Sequence, residues 1–201
     1  MPLLLSTSYL PPISYISACS KAEMITIELF ETYQKQTFRN HCLIAGPNGA
    51  QQLTIPVIKV NGNHTKTKDI IIDGSADWQK IHWKSIETAY NNSPFFLYYR
   101  DYFEPYFFRR FESLVEFNNA LLNEIFIILR MNIEIEFTED YQSGQGIFLD
   151  RGEELVGKRK PIPLHFRKYT QVFENKYGFL PDLSIIDLIF NLGPEARDYF
   201  S

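Results

Sequence analysis

Residues 33–42, which read YQKQTFRNHC, concentrate cationic and amide side chains. Lys35, Arg39 and Asn40 carry the groups that proteins use to hold a phosphate or a carboxylate. Glu28 and Glu31 come shortly before them, so a structural ion-pair network explains the two cations equally well. The segment therefore predicts either an anion-binding site or an internal network of charges.

A second pair of polar residues, Asp187 and Asn191, lies in the apolar segment 183–195. Four residues separate the two, so a helix would place both on one face, where burial requires hydrogen-bond partners. Asp187 is a candidate general base, and Asn191 is a candidate catalytic neighbour. A simpler alternative is a capping box, because Ser184 precedes Asp187 by three residues.

His82 lies on the apolar stripe of a predicted helix. It is the second candidate general base, although a histidine at such a position is more often a hydrogen-bonded core residue. The predicted substrate-binding set is Lys35, Arg39 and Asn40 together with Tyr9, from a proline-rich turn, and Arg159, from a basic run. That run is either solvated or clamps an anion when the glycine-rich residues 140–163 close as a mobile loop.

No motif implies a metal or a cofactor. The chain has two cysteines, Cys19 and Cys42, and no paired metal-ligand spacing, which predicts reduced thiols. Gly144 and Gly146 form only a fragment of a dinucleotide-binding motif. No metal site is therefore expected, and the sequence leaves any cofactor unknown.

Hydrophobic periodicity predicts an α/β fold in which strands precede and follow helices. The expected strands are residues 3–5, 24–30, 52–59, 69–73 and 133–137, and the expected helices are 13–20, 75–90, 112–131, 170–177 and 184–192. A strand, a proline-rich turn, a helix and a second strand resemble the start of a Rossmann-like unit. We therefore predict a Rossmann-like layered sheet with flanking helices and a helical C-terminal part.

Length and charge predict one domain over residues 1–201, with 45% hydrophobic and 22% charged residues. The net charge of −4 argues against nucleic-acid binding, which normally requires a basic surface. The N-terminus has three consecutive leucines and no basic flank, so neither a signal peptide nor a membrane span is expected. The predicted location is the cytoplasm.

Several spaced motifs carry a resemblance to a known family. They are YLPPISY at 9–15, KQTFRN at 35–40, LTIPV at 53–57, HWKSIE at 82–87, SPFF at 93–96 and GFLP at 178–181, which leads into LSIID at 183–187. In this order they make the chain similar to the WbqC-like protein family. Many members have Gln-Pro before the first motif, whereas this chain has Ser-Thr-Ser at 6–8.

The resemblance implies a bacterial protein with a part in surface polysaccharide (O-antigen-type) biosynthesis. It brings no catalytic residues that transfer to this sequence. The favoured function is acyl or aminoacyl transfer to an activated amino sugar, with a nucleotide sugar or another small anionic ligand as partner. A nucleotidyl-transfer enzyme and a non-catalytic binding or scaffold protein are the alternatives.

Overall fold

A computed structural model describes residues 3–142 and 166–200 of the chain and has a mixed α/β fold. The strands are β1 (Leu3–Ser6), β2 (Met24–Glu28), β3 (His41–Gly46), β4 (Gly49–Thr54), β5 (Val57–Lys59), β6 (Ile70–Ile72) and β7 (Glu134–Phe137). The helices are α1 (Ile13–Cys19), α2 (Trp78–Tyr90), α3 (Phe96–Phe108), α4 (Leu114–Ile128), α5 (Glu174–Tyr177) and α6 (Ile185–Leu192).

Three parallel strands form the principal sheet, in the order β1-β2-β7. Leu3 of β1 lies beside Ile25 of β2, and Ile25 in turn lies beside Ile135 of β7. Both pairings are parallel, so all three strands run in the same direction. Parallel neighbours need a crossover, which α1 provides between β1 and β2. The predicted opening strand, helix and second strand are therefore confirmed, as is the strand predicted at 133–137.

The C-terminal part of the chain fixes the start of α1. The Asp182 carboxylate accepts hydrogen bonds from the Ser14 backbone N–H at 2.8 Å and the Ser14 hydroxyl at 2.9 Å, and the Leu183 carbonyl accepts from Ile13 N–H. These bonds satisfy N–H groups that the first turn of a helix leaves open. Burial raises the pKa of Asp182 to about 6, which the two bonds from Ser14 partly oppose.

Two antiparallel ribbons, β3-β4 and β5-β6, lie outside the parallel sheet. A single strand was expected over 52–59, but the structure divides it between β4 and β5 at Ile55 and Pro56. The Ile55 N–H donates to the Asn40 carbonyl, and Pro56 has no N–H to continue a ladder. The division lets β5 leave the first ribbon and pair with β6.

The helices pack around an aromatic core. Helix α3 buries Phe96, Phe103 and Phe107, while other aromatic residues of the same helix remain exposed. Ser113 caps α4, accepting a hydrogen bond from the Glu116 N–H. None of the helices within residues 3–142 and 166–200 is long and apolar enough to cross a membrane.

Candidate functional site

The predicted site residues separate into buried groups with different partners. We name them the Arg39 cluster (Arg39, Glu31, Thr37 and Ser6), the Tyr9–His82 pair, and the Asp187 cluster (Asp187, Tyr169, Gln171 and Asn191). The hydrogen bonds found around Arg39 and those found around Asp187 involve separate sets of residues.

Arg39 is buried, with 1% of its surface exposed, and forms a bidentate ion pair with Glu31. Its Nε donates to Glu31 Oε1 at 2.8 Å and its Nη2 to Glu31 Oε2 at 2.7 Å. Further bonds run from the guanidinium to the Thr37 hydroxyl and to the Ser6 hydroxyl at the end of β1. Of the two interpretations offered by the sequence, this geometry matches the internal network of charges.

The other residues of the polar segment have diverse environments. Lys35 is exposed, so it does not share a face with Arg39. Asn40 donates from its amide to the Ile55 carbonyl at 3.0 Å, which holds the chain where β4 ends. Arg159 and residues 143–163 of the predicted mobile loop lie outside the described residues.

Tyr9 and His82 form a buried pair at the centre of the core. The Tyr9 hydroxyl lies 2.9 Å from His82 Nδ1, and Trp78 and Phe117 pack against the two rings. Burial lowers the pKa of His82 to about 4, although a hydrogen bond with the Thr54 backbone opposes the shift. The ring is therefore neutral at neutral pH, and its contacts are those of a hydrogen-bonded core histidine.

The lowered pKa of His82 predicts a loss of stability in acid. A histidine whose folded pKa lies below its unfolded value of 6.5 contributes fully above pH 6.5, and its contribution is lost as the pH falls toward 4. At about pH 5 the loss is about 2 kcal/mol, from 1.36 kcal/mol per pKa unit. We expect His82→Gln to flatten the fall in melting temperature between about pH 7 and pH 5.

The matched control is His64→Gln, because His64 is exposed in the turn before β6. It should leave the acid dependence of the melting temperature as in the wild-type protein. Equal slopes for wild type and His82→Gln would show that the ring is not the neutral buried group described here.

The Asp187 cluster holds a carboxylate that is fully buried. Its Oδ2 accepts from the Tyr169 hydroxyl at 2.5 Å and from Gln171 Nε2 at 2.9 Å. Burial raises the pKa of Asp187, and the bonds from Tyr169 and Gln171 act in the opposite direction. The carboxylate thus joins α6 to the segment before α5.

The capping-box interpretation of Ser184 and Asp187 is wrong. Ser184 is the N-cap of α6, but its hydroxyl makes no capping hydrogen bond, and the Asp187 carboxylate points to Tyr169 and Gln171 instead. Asn191 lies one turn further along and donates to the Asp187 backbone carbonyl at 2.7 Å. Both side chains are buried on one helical face, as their spacing predicts, and each has its own partner.

Sequence reasoning missed a polar layer at the carboxyl ends of the parallel strands. Asn118, in the middle of α4, donates from Nδ2 to the Thr7 hydroxyl at 3.1 Å and to the Arg39 carbonyl at 2.8 Å. The buried Glu28 carboxylate, at the end of β2, accepts from Thr138 and from the N–H groups of Phe30 and Gln142. Asn118 itself was the available signal, because it lies four residues after Leu114 and four before Leu122 on the apolar stripe of the helix, where a buried amide requires partners.

This layer borders a narrow pocket, which we call the strand-end pocket. It is lined by Thr7, Ser8, Ile27, Asn118, Asn119, Leu122 and Phe137. Its free volume of about 10 Å³ suits one water-sized group. Sheets of parallel strands bind ligands beyond their carboxyl ends, so the pocket lies where a ligand is expected.

The part of the chain that the structure describes has no group of three or more histidine, cysteine, aspartate or glutamate side chains that could hold a metal ion. Cys19 and Cys42 are buried free thiols, and burial raises the pKa of each. Thiolates are the reactive form of cysteine, so neither side chain is suited to nucleophilic attack. The described chemistry of the site consists of hydrogen-bonding groups.

Comparison with known proteins identifies the family. The chain is 27% identical over 224 aligned positions to an uncharacterised protein, Rv1507c, of Mycobacterium tuberculosis, with 98% of this chain and 95% of the relative covered. No solved structure matches the chain. The model of the WbqC-like protein family matches residues 7–160, and the chain therefore belongs to the WbqC-like protein family.

Proposed function

We propose that the protein is an enzyme of bacterial surface polysaccharide biosynthesis that transfers an acyl or aminoacyl group to an activated amino sugar. The observation that carries this proposal is the polar layer at the carboxyl ends of β1, β2 and β7. Ser6, Thr7, Glu28 and Asn118 are buried in this layer, beside a pocket. Burial of polar groups costs free energy, and a core of this size can form without them. Membership of the WbqC-like family supports the same biological setting.

The proposal treats the β1-α1-β2 crossover as the start of a Rossmann-like unit. In such units the loop after the first strand faces the ligand. Here that loop contains Thr7 and Ser8, which line the strand-end pocket. The sugar would lie at this pocket, and the activating nucleotide would extend over the surface beyond it.

The proposed roles of the individual residues follow their contacts. Lys35 is exposed and is the candidate for contact with a nucleotide diphosphate, together with Arg159 from outside the described residues. Arg39, Asn40 and Tyr9 would position the loops of the site through their buried hydrogen bonds.

Asp187 is the proposed base, because burial raises its pKa. Asn191 supports its helix, and His82 positions Tyr9. Within this proposal the protein acts in the cytoplasm with Cys19 and Cys42 reduced.

One observation favours a second function, that of a non-catalytic scaffold. Helix α3 exposes four large apolar side chains to solvent, at 46–74% exposure: Leu97, Tyr98, Tyr102 and Phe108. Exposed apolar surface of this kind often marks an interaction site. A scaffold would bind other enzymes through α3 and would bind no nucleotide sugar.

Mass spectrometry can test the enzymatic proposal. The protein would be incubated with UDP-glucosamine and either an acyl-CoA or an aminoacyl donor, and we expect the sugar to gain the mass of the transferred group. Asp187→Asn serves as the variant, because the amide keeps the shape of the carboxylate but lacks its proton affinity. Transfer by the wild-type protein that persists in Asp187→Asn would remove the base role.

Absence of both transfer and calorimetric binding for every nucleotide sugar at about millimolar concentration would contradict the enzymatic function, since that concentration detects affinities near −4 kcal/mol. Binding of partner proteins through α3 would then be the favoured function.

A further inference from the structure

Three residues that line the strand-end pocket each have a buried oxygen atom without a hydrogen-bond partner among the described residues. These atoms are Ser8 Oγ, Asn118 Oδ1 and Asn119 Oδ1. Ser8 is 4% exposed and Asn118 is 1% exposed, so water outside the protein does not solvate these side chains freely. Buried polar groups are almost always paired, and three such atoms at one pocket therefore indicate a ligand.

The orientation of the Asn118 amide is fixed by its neighbours. Its Nδ2 donates to the Arg39 carbonyl and to the Thr7 hydroxyl, and the carbonyl can only accept a hydrogen bond. The amide oxygen must then be the atom without a partner. The Asn118 oxygen can only accept, and the Ser8 hydroxyl can accept as well as donate, so the pocket calls for a group that donates.

The positive charge of the buried Arg39 guanidinium is already balanced. Arg39 pairs with Glu31 through two hydrogen bonds. The buried Glu28 carboxylate belongs to the same polar layer, where it accepts from the Thr138 hydroxyl and the Gln142 N–H. A phosphate or carboxylate would add acceptor oxygens to a site that already has unmatched acceptors, so an anion does not suit the pocket.

From this geometry we infer that the strand-end pocket binds a primary ammonium group of the substrate. An ammonium group has three N–H donors, which equals the number of unmatched oxygens, whereas a hydroxyl donates one hydrogen. The free volume suits one group of that size, and the half-exposed ring of Phe137 at the rim can cover the apolar carbons beside it. This inference rests on the proposed function in taking the amine from a sugar or from an aminoacyl donor.

Calorimetry with three matched ligands tests the inference on the full chain. UDP-glucosamine carries a free amine, UDP-N-acetylglucosamine carries the same amine capped, and UDP-glucose carries a hydroxyl in its place. We expect UDP-glucosamine to bind at least about tenfold more tightly than the other two, because hydrogen bonds from a charged donor are the strong ones. Equal affinities for all three ligands, together with no effect of the small amines described below, would overturn the inference.

Ser8→Ala and Ser184→Ala form a matched pair of variants. Each removes a buried hydroxyl that lacks a partner among the described residues, and Ser184, at the start of α6, is not one of the residues that line the pocket. Neither change should lower the melting temperature, since an unpaired buried hydroxyl contributes no hydrogen bond. Ser8→Ala should lose most of the preference for the amine, and Ser184→Ala should keep it; a preference unchanged in Ser8→Ala overturns the inference.

Small amines separate the pocket from the nucleotide. Glucosamine represents the amine of an acceptor sugar, with glucose as its control, and glycinamide represents the amine of an aminoacyl donor, with N-acetylglycinamide as its control. A rise in wild-type melting temperature with either amine, absent in Ser8→Ala, supports the pocket and identifies the source of the amine.

If no nucleotide sugar binds but an amine raises the melting temperature in this way, the proposed function fails and the pocket inference stands. If neither amine acts and UDP-glucosamine has no advantage, the pocket holds water only and the inference is wrong.

Discussion

Replacing Arg39 with methionine is expected to destabilise the protein by about 3–5 kcal/mol, the range for removing one partner of a buried ion pair. The change would leave the Glu31 carboxylate buried without its two guanidinium hydrogen bonds. It would also remove the donors to Ser6 and Thr37. Chemical denaturation measures the effect as a lower midpoint with little change in slope.

Two further variants show whether the loss comes from the ion pair. Lys35→Met removes an exposed cation from the same segment and should change stability by no more than about 0.5 kcal/mol. Arg39→Met combined with Glu31→Leu removes both charges and should recover much of the loss, because apolar replacements of a buried pair are often tolerated. A single Arg39→Met variant as stable as Lys35→Met would contradict the structure of this cluster.

A loss of stability in Arg39→Met also changes how ligand binding by that variant must be interpreted. If Arg39 bound an anion, one of the two interpretations of its sequence, its loss would weaken ligand binding with little loss of stability. Its complete burial and its pairing with Glu31 predict the reverse order of effects. Weaker binding by Arg39→Met would therefore reflect displaced loops, since Arg39 holds Ser6 at the end of β1.

Replacing Phe190 with alanine is expected to cost about 3–5 kcal/mol, as for other large aromatic side chains removed from a core. Phe190 is fully buried in α6 and its ring contacts Tyr90, Phe96 and Phe103 at centroid distances of 5.1–5.7 Å. The backbone supports the same contact, because the Phe190 carbonyl accepts from the Phe95 N–H. Thermal and chemical denaturation both report the loss.

Phe108→Ala is the matched control, since Phe108 is 64% exposed near the end of α3. The same change of side chain should there alter stability by about 0.5 kcal/mol or less, as for most surface positions. A comparable loss at both positions would contradict the exposed position of Phe108.

The sequence by itself determined most of the elements. The β1-α1-β2 opening, α2, α4, β7 and α6 were predicted because periodicity and helix end signals act over a few residues of backbone. The single strand expected at 52–59 was wrong because Pro56 has no N–H with which to continue the β3-β4 ladder. The spaced motifs also identified the WbqC-like family, which the family model confirms.

Only the tertiary structure decided what the polar residues do. Asn118 meets Thr7 across 111 positions of the chain, and Tyr9 meets His82 across 73, and no local pattern encodes such contacts. The same polar side chain can bind a ligand, cap a helix or satisfy a buried neighbour, and its type does not distinguish these uses. The partner is chosen by which groups folding brings within hydrogen-bond distance, so Arg39 received Glu31 and Asp187 received Tyr169, while Ser8 was left facing the pocket.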